Sequence, residues 1–75
     1  MINPAQCRAA RGLLDWNQQD LAKHSTVGYS TIRKFEAGET KPRNSTLIVL
    51  RQTFETHGVA FLDENGGGVK LKTRV

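Results

Sequence analysis

The stretch Ser25-Thr26-Val27-Gly28 constrains this chain more than any other feature. It interrupts helical patterning between two segments that are too short to fold alone. Ahead of it, Asn17 is a cap residue, and Gln18 to about His24 carries Leu21 and Ala22 as its apolar positions. Behind it, Ile32 and Phe35 fall at helical spacing within a segment from about Tyr29 to Ala37. Gly38 then accepts the left-handed backbone that ends a helix. Isolated helices shorter than about 12–15 residues are marginal in water. Each segment must therefore be held by the other and by its surroundings, across a turn only four residues long.

The flanking sequence supplies those surroundings. Asn3 before Pro4 marks a helix start, since asparagine caps free amides and proline tolerates the first helical position. The helix runs from Pro4 to about Leu14, with Cys7, Ala10 and Leu14 on one face and Leu13 beside them. Arg8 and Arg11 lie off that stripe. Trp16, just before the Asn17 cap, is placed to pack on the first turns of the next helix as a hydrophobic staple. Glu39 to Arg43, containing Pro42, is a loop. Asn44 or Ser45 caps a fourth helix to about His57, with Leu47, Leu50 and Phe54 as its core stripe and Gly58 at its end.

The tail changes character. Val59 to Leu62 and Val69 to Thr73 have strand patterning, separated by Asp63-Glu64-Asn65-Gly66-Gly67-Gly68. A β-hairpin is expected, and because a lone hairpin is barely stable it must lean on the helices or on a second subunit. The predicted fold is mainly α: four short helices followed by a C-terminal β-hairpin. Residues 1–58 form the helical domain, and 59–75 are an extension with a possible role in dimerisation.

Composition narrows the function. A chain of 75 residues is one domain with a small core. The net charge of +4 suits a polyanionic partner, either nucleic acid or an anionic membrane surface. No apolar run is long enough to span a bilayer, and the N-terminus lacks the pattern of a secretory signal. A cytoplasmic location is expected. The single cysteine, Cys7, excludes an internal disulfide and is expected to be a small core residue. His24 and His57 are far apart in sequence and have no ligand partner at metal-binding spacing. Gly66-Gly67-Gly68-Val69-Lys70 lacks the spacing of a phosphate loop, and strand residues follow it instead of a helix. With no Ser-His-Asp or Cys-His set, the expectation is a protein that is not an enzyme and has no cofactor, metal, small-molecule ligand or membrane partner.

Two short helices across a tight turn, the second with a polar face, form the helix-turn-helix geometry. Gln18-x-x-Leu21-Ala22, then Val27, Ile32 and Phe35-Glu36-x-Gly38 stand at fixed spacing. Leu21, Val27, Ile32 and Phe35 can all face one core, and Ala22 is small where the helices cross. From about Asn3 to Gly58 the chain resembles the Cro and phage-repressor type of helix-turn-helix proteins, the xenobiotic-response-element family. That resemblance implies a lambda-repressor-like fold and a small bacterial or phage transcription regulator, a repressor that binds double-stranded DNA as a homodimer. The alternative is an antitoxin or phage accessory protein that grips a protein partner.

The resemblance also implies roles for individual residues. Tyr29, Ser30, Arg33 and Lys34 match positions that read base edges from a recognition helix over 29–37. Asn17, Gln18, Gly28, Thr31, Lys41, Arg43 and Asn44 match positions at the phosphate backbone. Arg11 and Glu36 match an internal salt bridge. The chemistry agrees: Arg and Lys donate to guanine edges, hydroxyls donate or accept, and helix N-termini present amides to phosphate. The chain departs from the family pattern at two places. Thr26 stands where the family has a turn glycine, which costs strain if φ is positive there. Gly28 stands where a Ser or Thr usually caps the third helix.

Overall fold

The computed structural model describes residues 1–62 and 67–72. Four helices precede a two-stranded antiparallel sheet: α1 (Pro4–Leu14), α2 (Gln18–Ser25), α3 (Tyr29–Glu36), α4 (Asn44–Thr56), β1 (Val59–Leu62) and β2 (Gly68–Leu71). The mainly helical fold with a terminal hairpin is as the sequence predicts.

Local chemistry explains where the helices start. Asn3 Oδ1 accepts from the Gln6 amide at 2.8 Å, and Gln6 Oε1 accepts from the Asn3 amide at 3.0 Å. Asn17 and Asp20 make the same reciprocal capping box on α2, at 2.7 and 2.9 Å. α3 and α4 are built differently, since neither has a side-chain cap. The residue before α4 is Arg43, which corrects the expected cap at Asn44 or Ser45. Asn44 already lies inside the helix, because the extended backbone needed at a cap falls one residue earlier, at Arg43.

One core serves every element. Cys7 and Ala10 of α1, Leu21 of α2, Ile32 and Phe35 of α3, and Leu47, Leu50 and Phe54 of α4 are buried together. Ala22 and Val27 pack against them, partly buried. Ile2, ahead of the first cap, is also buried. The hairpin shares this core. β1 and β2 pair with Val59 opposite Leu71 and Phe61 opposite Val69. Val59 is completely buried, while Phe61 and Val69 lie against the core. Val59 is therefore enclosed by this chain's own core and not available to a dimer partner. β2 spans Gly68–Leu71, shorter than the expected run from Val69 to Thr73; Thr73 and the expected loop residues Asp63 to Gly66 lie outside the described residues.

The turn between α2 and α3 pivots on Thr26, whose φ of 61° and ψ of 10° are left-handed. Its amide bonds Ala22 O at 2.9 Å, closing α2, and the next amide, of Val27, bonds Ser25 Oγ at 3.1 Å. A β-branched residue pays roughly 1–2 kcal/mol in this conformation. Glycine removes that strain but loses roughly 0.5–1 kcal/mol of backbone entropy on folding. Thr26→Gly is expected to stabilise the protein by about 0.5–1 kcal/mol, measured as a raised urea midpoint at unchanged slope.

Candidate nucleic-acid interface

α3 divides cleanly into two sides. Ile32, Phe35 and Glu36 are buried, whereas Tyr29, Ser30, Thr31, Arg33 and Lys34 are exposed. At 3.6 residues per turn, Ser30, Arg33 and Lys34 take the middle of the exposed arc, with Tyr29 and Thr31 at its borders. The four expected base-reading residues therefore share one continuous surface. That surface carries two cations and no carboxylate.

The inward side is anchored by a carboxylate. Glu36 is only 4 % exposed, yet every oxygen of its side chain is bonded. Arg11 meets it as a fork, Nη2 to Oε1 at 2.6 Å and Nε to Oε2 at 2.8 Å. The Cys7 thiol donates to Oε2 at 3.0 Å, and Gln18 Nε2 donates to Oε1 at 3.0 Å. Arg8 Nη1 reaches the Glu36 main-chain carbonyl, and Arg11 Nη1 reaches Trp16 O at 3.1 Å. The Arg11–Glu36 bridge is present, as the sequence resemblance implied. Cys7, Arg8 and Gln18 were not expected in it. The available signal was spacing: Cys7 and Arg11 stand four apart, on one side of α1, and so can converge on one group.

These bonds set the charge states. Burial alone pushes the Glu36 carboxyl up. The hydrogen bonds from Arg11, Cys7 and Gln18, with the Arg11 charge, outweigh it and hold the group below its ordinary value. The hydrogen bond to Glu36 raises Arg11, against burial. Burial, then the Glu36 hydrogen bond and charge, drive the Cys7 thiol well above its ordinary value. Cys7 is thus a buried donor held as a thiol, not a nucleophile.

The expected phosphate positions are built in different ways. Gln18 is half-buried with its amide turned to Glu36, leaving its oxygen and second N–H. The Asn17 oxygen and amide are both engaged in the α2 capping box, which puts the Asp20 carboxylate at that helix start. Gly28 precedes α3 with an ordinary φ of −61° and, like Arg43 before α4, gives no side-chain cap. The first amides of α3 and α4 therefore receive no acceptor from the side chain of their own cap residue, and exposed Lys41, Arg43 and Asn44 stand at or just before the start of α4.

Trp16, just ahead of the α2 cap, packs partly buried against the core. Its indole stacks on His24, in the last turn, at 4.4 Å and 8°, and meets His57 edge-on at 4.8 Å. His24 and His57, remote in sequence, lie 4.9 Å apart. With only two turns in α2, a broad indole beside its start reaches the far end of the helix. Among the described residues, no group of three or more His, Cys, Asp or Glu side chains could hold a metal ion. No described helix is long and apolar enough to cross a membrane.

A family model described as helix-turn-helix matches residues 8–59, from the middle of α1 to the start of β1. No curated protein matches the chain.

The Glu36 cluster has a measurable pH signature. A carboxyl with a lowered native pKa makes the unfolded state bind more protons, so stability rises with pH through that range. The contribution is complete above the unfolded value of about 4.3 and is lost as pH falls through the lower native value. Glu36→Gln is expected to be less stable by roughly 3–5 kcal/mol at pH 7. It should also lose stability less steeply than the native chain on acidification from pH 5 to 3, as followed by urea melts.

Proposed function

Because the chain belongs to the helix-turn-helix family, in its Cro and phage-repressor type, we propose that it is a sequence-specific reader of double-stranded DNA that acts as a transcriptional repressor. The observation that carries this is the outward arc of α3, basic and free of carboxylates, in a chain where α3 and α4 both start with no side-chain cap. An uncapped helix start offers amides and a positive dipole end to phosphate oxygens.

In this reading α3 enters the major groove. Ser30, Arg33 and Lys34 meet base edges, and Tyr29 meets them from the rim. Arg and Lys favour the acceptor pair on guanine. The α3 start at Gly28, with Thr31, takes one stretch of phosphate. Lys41, Arg43 and Asn44 at the α4 start take another. Gln18, braced by Glu36, and Asn17 grip the backbone from α2. Phosphate contacts set affinity and register, and base contacts set the choice of sequence. One module of this size covers few base pairs. Two copies on a near-palindromic operator, with half-sites roughly 34 Å apart, give the length that specificity needs.

Two substitutions separate the roles. A random-duplex selection first supplies the preferred site. Lys34→Ala is then expected to lower affinity for that site by roughly 1–3 kcal/mol and to relax the preference at one position. Arg43→Ala is expected to weaken all duplexes about equally and to flatten the salt dependence by about one unit of slope. Unchanged binding in both variants would place the DNA surface elsewhere.

A further inference from the structure

The C-terminal ends of two helices meet at a pair of imidazoles. His24 lies in the last turn of α2, and His57 is the residue that ends α4. Their ring centres are 4.9 Å apart and their planes are inclined at 63°. Both residues are exposed, so solutes reach them from water.

Each ring is held in place. His24 lies flat on Trp16, the one tryptophan of the chain, at 4.4 Å and 8°. His57 meets the same indole edge-on at 4.8 Å, and its Nδ1 is 2.8 Å from Thr53 O. A carbonyl oxygen only accepts, so Nδ1 carries the hydrogen of that bond and the lone pair of the neutral ring lies on Nε2. A backbone carbonyl that engages one ring nitrogen and leaves the other as a donor atom is the usual support of a metal-binding histidine.

We propose that His24 and His57 together bind a divalent transition-metal ion, Cu²⁺ in preference to Ni²⁺ and Zn²⁺. An imidazole nitrogen sits about 2.0–2.1 Å from such an ion, which sets each ring centre about 3.2 Å from it. Ring centres 4.9 Å apart then subtend about 100° at the ion, between the roughly 90° of a square-planar site and the roughly 109° of a tetrahedral one. The inclination of the planes keeps the two rings from stacking on each other and lets an edge of each face a common point.

Local fields favour a cation here although the chain carries +4. The negative ends of the α2 and α4 dipoles both lie at this pair. Lys23, the neighbouring cation in the last turn of α2, is exposed and therefore screened by solvent. Ligand number sets the strength. Among the described residues no third His, Cys, Asp or Glu joins the pair, so water completes the coordination and the ion exchanges more readily than a structural zinc held by four protein ligands. Imidazole sites follow the rise in affinity along the first transition row to copper and the fall at zinc. A bound ion ties the end of α2 to the end of α4 and stabilises the folded chain by mass action. Neither histidine belongs to the proposed DNA surface, and metal binding does not depend on the DNA-reading function.

Trp16 supplies the readout, because a Cu²⁺ ion held by these two rings lies close enough to the indole to quench its fluorescence. Titration of the full chain with copper(II) chloride alone is expected to quench Trp16 to a plateau at one ion per chain. His24→Gln and His57→Gln should each raise the midpoint of quenching at least tenfold while keeping the native circular dichroism. The chain has only these two histidines, so proton NMR reads the pair without any substitution. Substoichiometric copper should broaden both sets of ring signals together. A native midpoint in either variant, broadening of one ring without the other, or quenching of the native chain that does not saturate at one ion would overturn the proposal.

Discussion

A carboxylate with almost no access to water holds this domain in register. Glu36 lies in the last turn of α3, and the groups that bond its side chain come from α1 and α2. Apolar packing brings the helices together but tolerates sliding, because dispersion contacts are non-directional. A buried charge does not tolerate it, since its desolvation is offset only while its partners stay in place. The Arg11 fork and the Gln18 amide therefore fix the angle and height at which α3 stands against α1 and α2. The exposed arc of α3 inherits that precision.

The α elements were legible because their determinants are local. Asn3-Pro4, Asn17 and Gly38 mark ends, and Leu21, Ile32, Leu47, Leu50 and Phe54 recur at helical intervals. The left-handed residue at Thr26 was foreseen as a strained possibility and is strained as expected. The cluster around Glu36 was only half legible. A resemblance supplied Arg11, but nothing local in Cys7, Arg8 or Gln18 says that three separate segments converge on one group. Trp16 shows the same limit. Its position before a cap suggested packing nearby, but nothing local announced that its ring also meets His24 and His57 at the ends of α2 and α4. The α4 cap was missed for another reason: Asn44 and Ser45 both have the right chemistry, and only the backbone decides that Arg43 holds the extended position.

The hairpin was legible as strands but not as to its purpose. Alternation in Val69-Lys70-Leu71-Lys72 gives the face but does not say against what the face is pressed. Val59 goes wholly into the helical core, with Phe61 beside Phe54 and under the Arg51 guanidinium. A chain of this length cannot build a generous core from helices alone. The strands close its open end and leave the helical surfaces free for other contacts.

The contrast between the helix starts has a thermodynamic consequence. α1 and α2 complete their own first turns with reciprocal side-chain bonds, and α3 and α4 do not. A missing cap costs a helix about 1 kcal/mol, so half of the scaffold is left slightly unfinished. If phosphate oxygens occupy those amides, the nucleic acid becomes the absent end-piece of the fold. Occupancy then tightens the protein as well as placing it. A bound copy resists unfolding, and hence proteolysis, more than an idle one in proportion to how well the duplex fills both helix starts.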